Sequence, residues 1–84
     1  MPGAIEAAAR TLLANELGID DSVLVLRSAE AVSWSDASVG CPMEGSAYAQ
    51  VVTPGNRLVF GYAGAAYAVH SDADGSSMLV CGGG

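Results

Sequence analysis

Apolar residues at Ile5, Ala9, Leu12, Leu13 and Leu17 recur at intervals of three and four, which lays one stripe along a helix, so residues 4–17 are predicted helical. Ala4, Ala7, Ala8, Ala9 and Ala14 raise the helix propensity of this segment. Gly18 stands where a glycine ends a helix, with Ile19 placed to make the accompanying apolar contact. Asp20-Asp21-Ser22 is a short loop. The pattern then changes. A continuous apolar run, Val23-Leu24-Val25-Leu26, leads through Arg27 to Trp34 and reads as a strand. Its apolar face is set by Leu24, Leu26, Val32 and Trp34; Ser28 and Glu30 interrupt that face, which places a bulge or break near Ala29.

Residues 35–46 are rich in Ser, Gly, Asp and Pro and read as loop. Residues 47–52 alternate weakly and read as a strand. Thr53-Pro54-Gly55-Asn56 carries the signature of a type II turn, in which Pro presets φ and Gly takes the positive φ. Three further strands follow with turns between them: 57–62 with Leu58, Phe60 and Tyr62 on one face, 66–70 with Tyr67 and Val69 on one face, and 77–81. The sum is an α+β domain over residues 1–81, one N-terminal helix on a small antiparallel meander of four to five strands, with 82–84 as a flexible glycine tail.

A chain of 84 residues makes one domain. At this size folding buries only about 60–65% of the unfolded surface, so packing alone leaves it marginal. The chain is 51% hydrophobic and 14% charged, enough for a core, although much of the apolar fraction is Ala. A covalent staple would help, and two Cys are available. The net charge is −6, with Arg10, Arg27 and Arg57 as the cationic side chains. That excludes the basic footprint a nucleic-acid binder needs and disfavours anionic membrane surfaces. No window approaches the roughly 20 apolar residues of a membrane span. Met1-Pro2-Gly3-Ala4-Ile5-Glu6 has no basic n-region, so no signal peptide is expected there.

Candidate chemistry is sparse. Cys41, His70 and Cys81 are three metal-ligating types without the close pair that zinc sites usually contain, and no metal or other cofactor is expected. A Cys–His nucleophilic pair is a formal option, but Pro42 removes the backbone N–H that commonly serves an oxyanion. Asp72-Ala73-Asp74-Gly75 echoes the start of a calcium loop without its remaining ligands. No acid–base pair, metal box or triad can be assembled from one His and scattered carboxylates, so no catalytic residue is assigned and no enzyme is expected. From these residues alone, Cys41 and Cys81 are either a disulfide or two buried thiols.

The series Trp34-x-Asp36-x-Ser38-Val39-Gly40-Cys41-Pro42, Tyr48-x-Gln50, Thr53-Pro54-Gly55-x-Arg57, Tyr67-x-x-His70-x-Asp72 and Cys81 resembles a small bacterial domain family of secreted proteins and lipoproteins. The resemblance spans most of the chain, including the helix ending in Leu-Gly. Glu44-Gly45-Ser46 stands where that family has Pro-Gly-Met, Asn56 where it has an aromatic, and Val69 where it has Tyr. The resemblance implies an extracytoplasmic compartment, and with it a Cys41–Cys81 disulfide. A loop of roughly 40 residues closed in this way stabilises a fold by about 4 kcal/mol in the chain-entropy model.

Gly40, Pro42, Met43, Glu44 and Gly45 then form the candidate partner-binding loop around Cys41. Cys41-Pro42-Met43 is similar to the reactive loop of bacterial subtilisin inhibitors, which implies Met43 as the specificity residue and Met43-Glu44 as the bond presented to a serine protease. The bland alternative is a structural loop with Met43 as gap filler. Trp34, Tyr48 and Tyr67 are a candidate aromatic surface, against the commoner role of strand aromatics in cross-strand packing. The expected function is a non-enzymatic, disulfide-stapled protein-binding module of the bacterial envelope or exterior. The alternative is an accessory domain with no ligand of its own.

Overall fold

The computed structural model describes residues 3–35, 38–41, 45, 47–48 and 50–83. Helix α1 runs Gly3–Leu17, and its end follows from Gly18. That residue takes φ 68°, and the Ile19 N–H donates to the Ala14 carbonyl at 3.0 Å, the long bond of a Schellman motif. Ile19 packs against the core. The buried stripe is Ile5, Ala9, Leu13 and Ala14, with Leu12 and Leu17 at its margin. A single 3-10 turn, Asp21–Val23, follows, capped by the Asp20 carboxylate, which accepts from the Ser22 N–H at 2.9 Å. Arg10 holds α1 to this turn. It donates to the carbonyls of Asp21 (3.3 Å) and Leu24, pairs with Glu6 at 3.2 Å, and stands 5.2 Å from the Phe60 ring centroid.

Four strands form one antiparallel sheet in chain order: β1 (Val25–Trp34), β2 (Thr53–Tyr62), β3 (Ala65–Asp72) and β4 (Met78–Gly83). The α+β meander expected from the sequence is therefore present, with four strands and the helix on one face. Paired residues share a face, and successive residues alternate. Leu58 and Phe60 of β2, Val69 of β3 and Val80 of β4 thus lie under α1. Leu13, Leu58, Phe60 and Val69 are fully buried there. None of the described helices is long and apolar enough to cross a membrane.

Four local expectations change. The expected break in β1 is a bulge between Leu26 and Ser28, slightly earlier than Ala29. One extra residue inverts the alternation. Leu24 and Leu26 therefore pack toward the helix, whereas Val32 and Trp34 turn to the opposite face instead of sharing one with them. Thr53-Pro54-Gly55-Asn56 is no turn: it is the start of β2, and Gly55 pairs with Val32 and with Asp72. Pro54 pairs with Ser33 of β1 and lies just outside the pairing with β3, which begins at Gly55. The described residues of 47–52 are not in a strand. Finally, β4 extends to Gly83, which pairs with Tyr67, so two of the three residues assigned to the tail continue the sheet.

Candidate functional site

The face of the sheet opposite α1 carries a small cluster of its own, centred on Trp34 and His70. Trp34 ends β1, and its indole crosses β2 over Gly55. A Cβ on Gly55 would overlap the Ser71 carbonyl oxygen and lie 2.5 Å from Trp34 Nε1. Glycine is thus required here by close approach rather than by turn geometry. Across this gap Trp34 Nε1–H donates to the Ser71 carbonyl at 3.0 Å. The indole stacks on the His70 imidazole, with centroids 4.4 Å apart and planes 27° apart. Such stacked pairs contribute about 0.5–1.5 kcal/mol beyond area burial.

Residues 38–41 close over this pair. The Cys41 N–H donates to the Ser38 carbonyl at 3.0 Å, with φ 49° at Val39 and 77° at Gly40. Two successive positive φ values define a type I′ turn. A β-branched residue in this region costs roughly 1–2 kcal/mol and persists only where its surroundings fix it. Here the Val39 side chain is buried at 3% exposure, and its carbonyl accepts from His70 Nδ1–H at 2.9 Å. Gly40 lies over the indole, where a Cβ would come within 2.6 Å of Trp34 Cζ3. Ser38 is buried as well. One residue on, Cys41 is joined by a disulfide to Cys81 of β4, with Cα atoms 5.8 Å apart, inside the usual range.

His70 is therefore a buried residue with a defined environment. It sits in β3 between Arg57 of β2 and Leu79 of β4. Burial pushes its pKa below the ordinary histidine value. The Arg57 charge acts in the same direction, and the bond to Val39 opposes them. The Val39 carbonyl can only accept, so the ring donates from Nδ1. Arg57 also lies 3.9 Å from Glu30, an exposed pair of small energetic weight.

Cys41 and Cys81 meet as the resemblance implies. One ligand atom each from Cys41, Cys81 and His70 lies within 4.8 Å of the others, a convergence the sequence spacing concealed. Gly40 and Gly45 of the candidate loop are exposed, Gly45 with φ 81°. Pro42, Met43 and Glu44 lie outside the described residues. The aromatic surface is not one patch. Trp34 belongs to this cluster and Tyr48 is half-buried, but Tyr67 packs against the helix-side core. At the β3–β4 hairpin, Asp72 accepts from the Ser77 N–H (3.2 Å) and the Ser76 hydroxyl (2.9 Å). Asp74 accepts from the Ser76 N–H (3.0 Å). These carboxylates organise the turn. Sequence reasoning missed the central position of His70 and the packing role of Gly55. The only sequence signal for either was their inclusion in the Thr53-Pro54-Gly55 and Tyr67-x-x-His70 motifs.

The arrangement fastens the backbone of residues 38–41 to the sheet at two points, the His70–Val39 bond and the Cys41–Cys81 disulfide. Neither the curated proteins nor the solved structures yield a match to this chain. A family model described as a domain of unknown function (DUF8738) matches residues 6–81, which take in α1 from Glu6 onward, the turn at 38–41, both cysteines and all of the sheet up to Cys81, and the chain belongs to that family.

Proposed function

We propose that this domain is a non-enzymatic, disulfide-stapled protein-binding module that works outside the cytoplasm and offers segment 40–45 to its partner. The observation that carries this reading is the clamp at the start of that segment: a type I′ turn with Ser38 and Val39 buried, bonded to the His70 ring that stacks on Trp34, and tied through Cys41 to Cys81. A contact loop held in place before binding loses little conformational entropy on docking. The disulfide favours an oxidising compartment, in keeping with the resemblance to secreted proteins and lipoproteins. The net charge of −6 favours a protein partner over nucleic acid.

The most concrete version is a serine protease inhibitor with Met43 as specificity residue. Titration of subtilisin and chymotrypsin with the oxidised domain tests it. Stoichiometric inhibition with slow cleavage at Met43-Glu44 is the expected result. Absence of inhibition at micromolar concentration, or rapid cleavage at Met43, eliminates the inhibitor. The broader reading is tested by affinity capture from an envelope fraction, with the oxidised domain and a Gly40→Val variant as baits. A partner retained by the parent and lost by the variant is expected. Capture that is indifferent to the variant removes segment 40–45 from the binding surface.

A further inference from the structure

We infer that the Cys41–His70–Cys81 cluster, once reduced, is a zinc site with two thiolates, one imidazole and a fourth position that none of the described residues fills. The ligand atoms already lie within 4.8 Å of one another. In a tetrahedral site with Zn–S near 2.3 Å, two thiolates stand about 3.8 Å apart, so little rearrangement is needed once the sulfur–sulfur bond is broken. The cysteine Cα atoms are held 5.8 Å apart by the frame of β4 and the turn at 38–41. Two independent features prepare His70 as the third ligand. Its ring is clamped by the Trp34 stack, and its Nδ1–H is engaged by a backbone carbonyl, the partner that commonly orients a metal-bound histidine. Thiolate and imidazole ligands select zinc over the hard cations magnesium and calcium. Both cysteines are half-buried rather than sealed, so an ion and a water have a route in. Arg57 faces His70 across β2–β3, but two thiolates neutralise the charge of the ion.

The chemistry balances with a dithiol as reductant. Two electrons and two protons pass to Cys41 and Cys81 as the sulfur–sulfur bond breaks, and the reductant closes to its own disulfide. Zinc then displaces the two thiol protons to solvent and binds the thiolates. The metal thus replaces the covalent tie and keeps the turn at 38–41 attached to β4 whenever the disulfide has been reduced. This inference does not depend on the proposed partner.

The test uses the whole chain, reduced with a dithiol, desalted without oxygen and titrated with Zn²⁺ against a chromophoric chelator. Co²⁺ serves as the visible probe of thiolate ligation. One ion per chain is expected for the reduced parent and none for the oxidised protein. His70→Ala should weaken binding by roughly tenfold or more, on the scale of lost site partners, and Cys81→Ser should abolish the Co²⁺–thiolate absorption. Circular dichroism follows folding throughout. If the reduced chain is unfolded, recovery of the native spectrum on adding Zn²⁺ supports the site equally. Reduced protein that neither binds nor refolds with Zn²⁺ overturns the inference, as does a His70→Ala variant that binds as tightly as the parent.

Discussion

Gly55→Ala is the substitution that most sharply separates the structure from a local reading of the sequence. As the third residue of a turn, Gly55 would matter only for its positive φ, and alanine would cost about 1–2 kcal/mol without touching Trp34. In the sheet, the added methyl overlaps the Ser71 carbonyl oxygen and comes within 2.5 and 2.8 Å of Trp34 Nε1 and Cδ1. The methyl meets a backbone oxygen and not only a side chain, so β2 and β3 must part locally and the indole must leave as well. Its bond to Ser71 is then lost, worth about 1 kcal/mol, together with the stack on His70, worth about 0.5–1.5 kcal/mol. Residual overpacking adds about 1 kcal/mol or more. The expected destabilisation is about 2–4 kcal/mol, or roughly 10–25 °C in Tm at this size. Thermal unfolding followed by far-ultraviolet circular dichroism measures the loss. Tryptophan fluorescence and near-ultraviolet circular dichroism report the indole, since Trp34 is the only tryptophan. A variant with an unchanged tryptophan spectrum and Tm within a few degrees of the parent refutes the close approach of Trp34 to Gly55.

Other predictions address the two faces separately. His70 has a folded-state pKa below its unfolded value of about 6.5, so it contributes stability that is present above that pH and is lost as pH falls below it. Chemical denaturation across pH 7.5 to 5 should show a steeper loss for the parent than for His70→Gln, as an approximate window set by the histidine reference value; parallel curves contradict this. On the helix side, Leu13→Ala should cost about 2–5 kcal/mol, as expected for a fully buried leucine. Leu12→Ala, at the margin of the core, should cost less than half as much by the same denaturant assay. Equal losses would mean that the buried stripe of α1 is misplaced.

How far the chain was legible follows from what each residue answers to. The helix was readable because its periodicity and its Leu17-Gly18 stop are local, and the strand cores because Leu58, Phe60 and Tyr62 alternate plainly. Pro54-Gly55 misled because its dipeptide signature is that of a turn, while the demand for glycine comes from Trp34, more than twenty residues away in sequence. The bulge in β1 was visible as a broken pattern. Its consequence, the transfer of Trp34 to the far face, needed the register with β2. Cys41, His70 and Cys81 are widely separated in sequence and meet only because β3 and β4 are neighbours and the turn at 38–41 folds back over them. The strained φ at Val39 had no sequence signal at all.

The account rests on the turn at 38–41 being fastened to the sheet, and the double variant Cys41→Ser/Cys81→Ser tests that most directly. The tie spans 40 residues of sequence, which corresponds to about 4 kcal/mol of loop-closure entropy, or roughly 15–30 °C in Tm. Unfolding of parent and variant without reductant, with amide exchange at Val39, Gly40 and Cys41 followed alongside, should show that loss and fast exchange at the turn. A variant that melts with the parent and keeps the same amide spectrum and exchange rates contradicts the account.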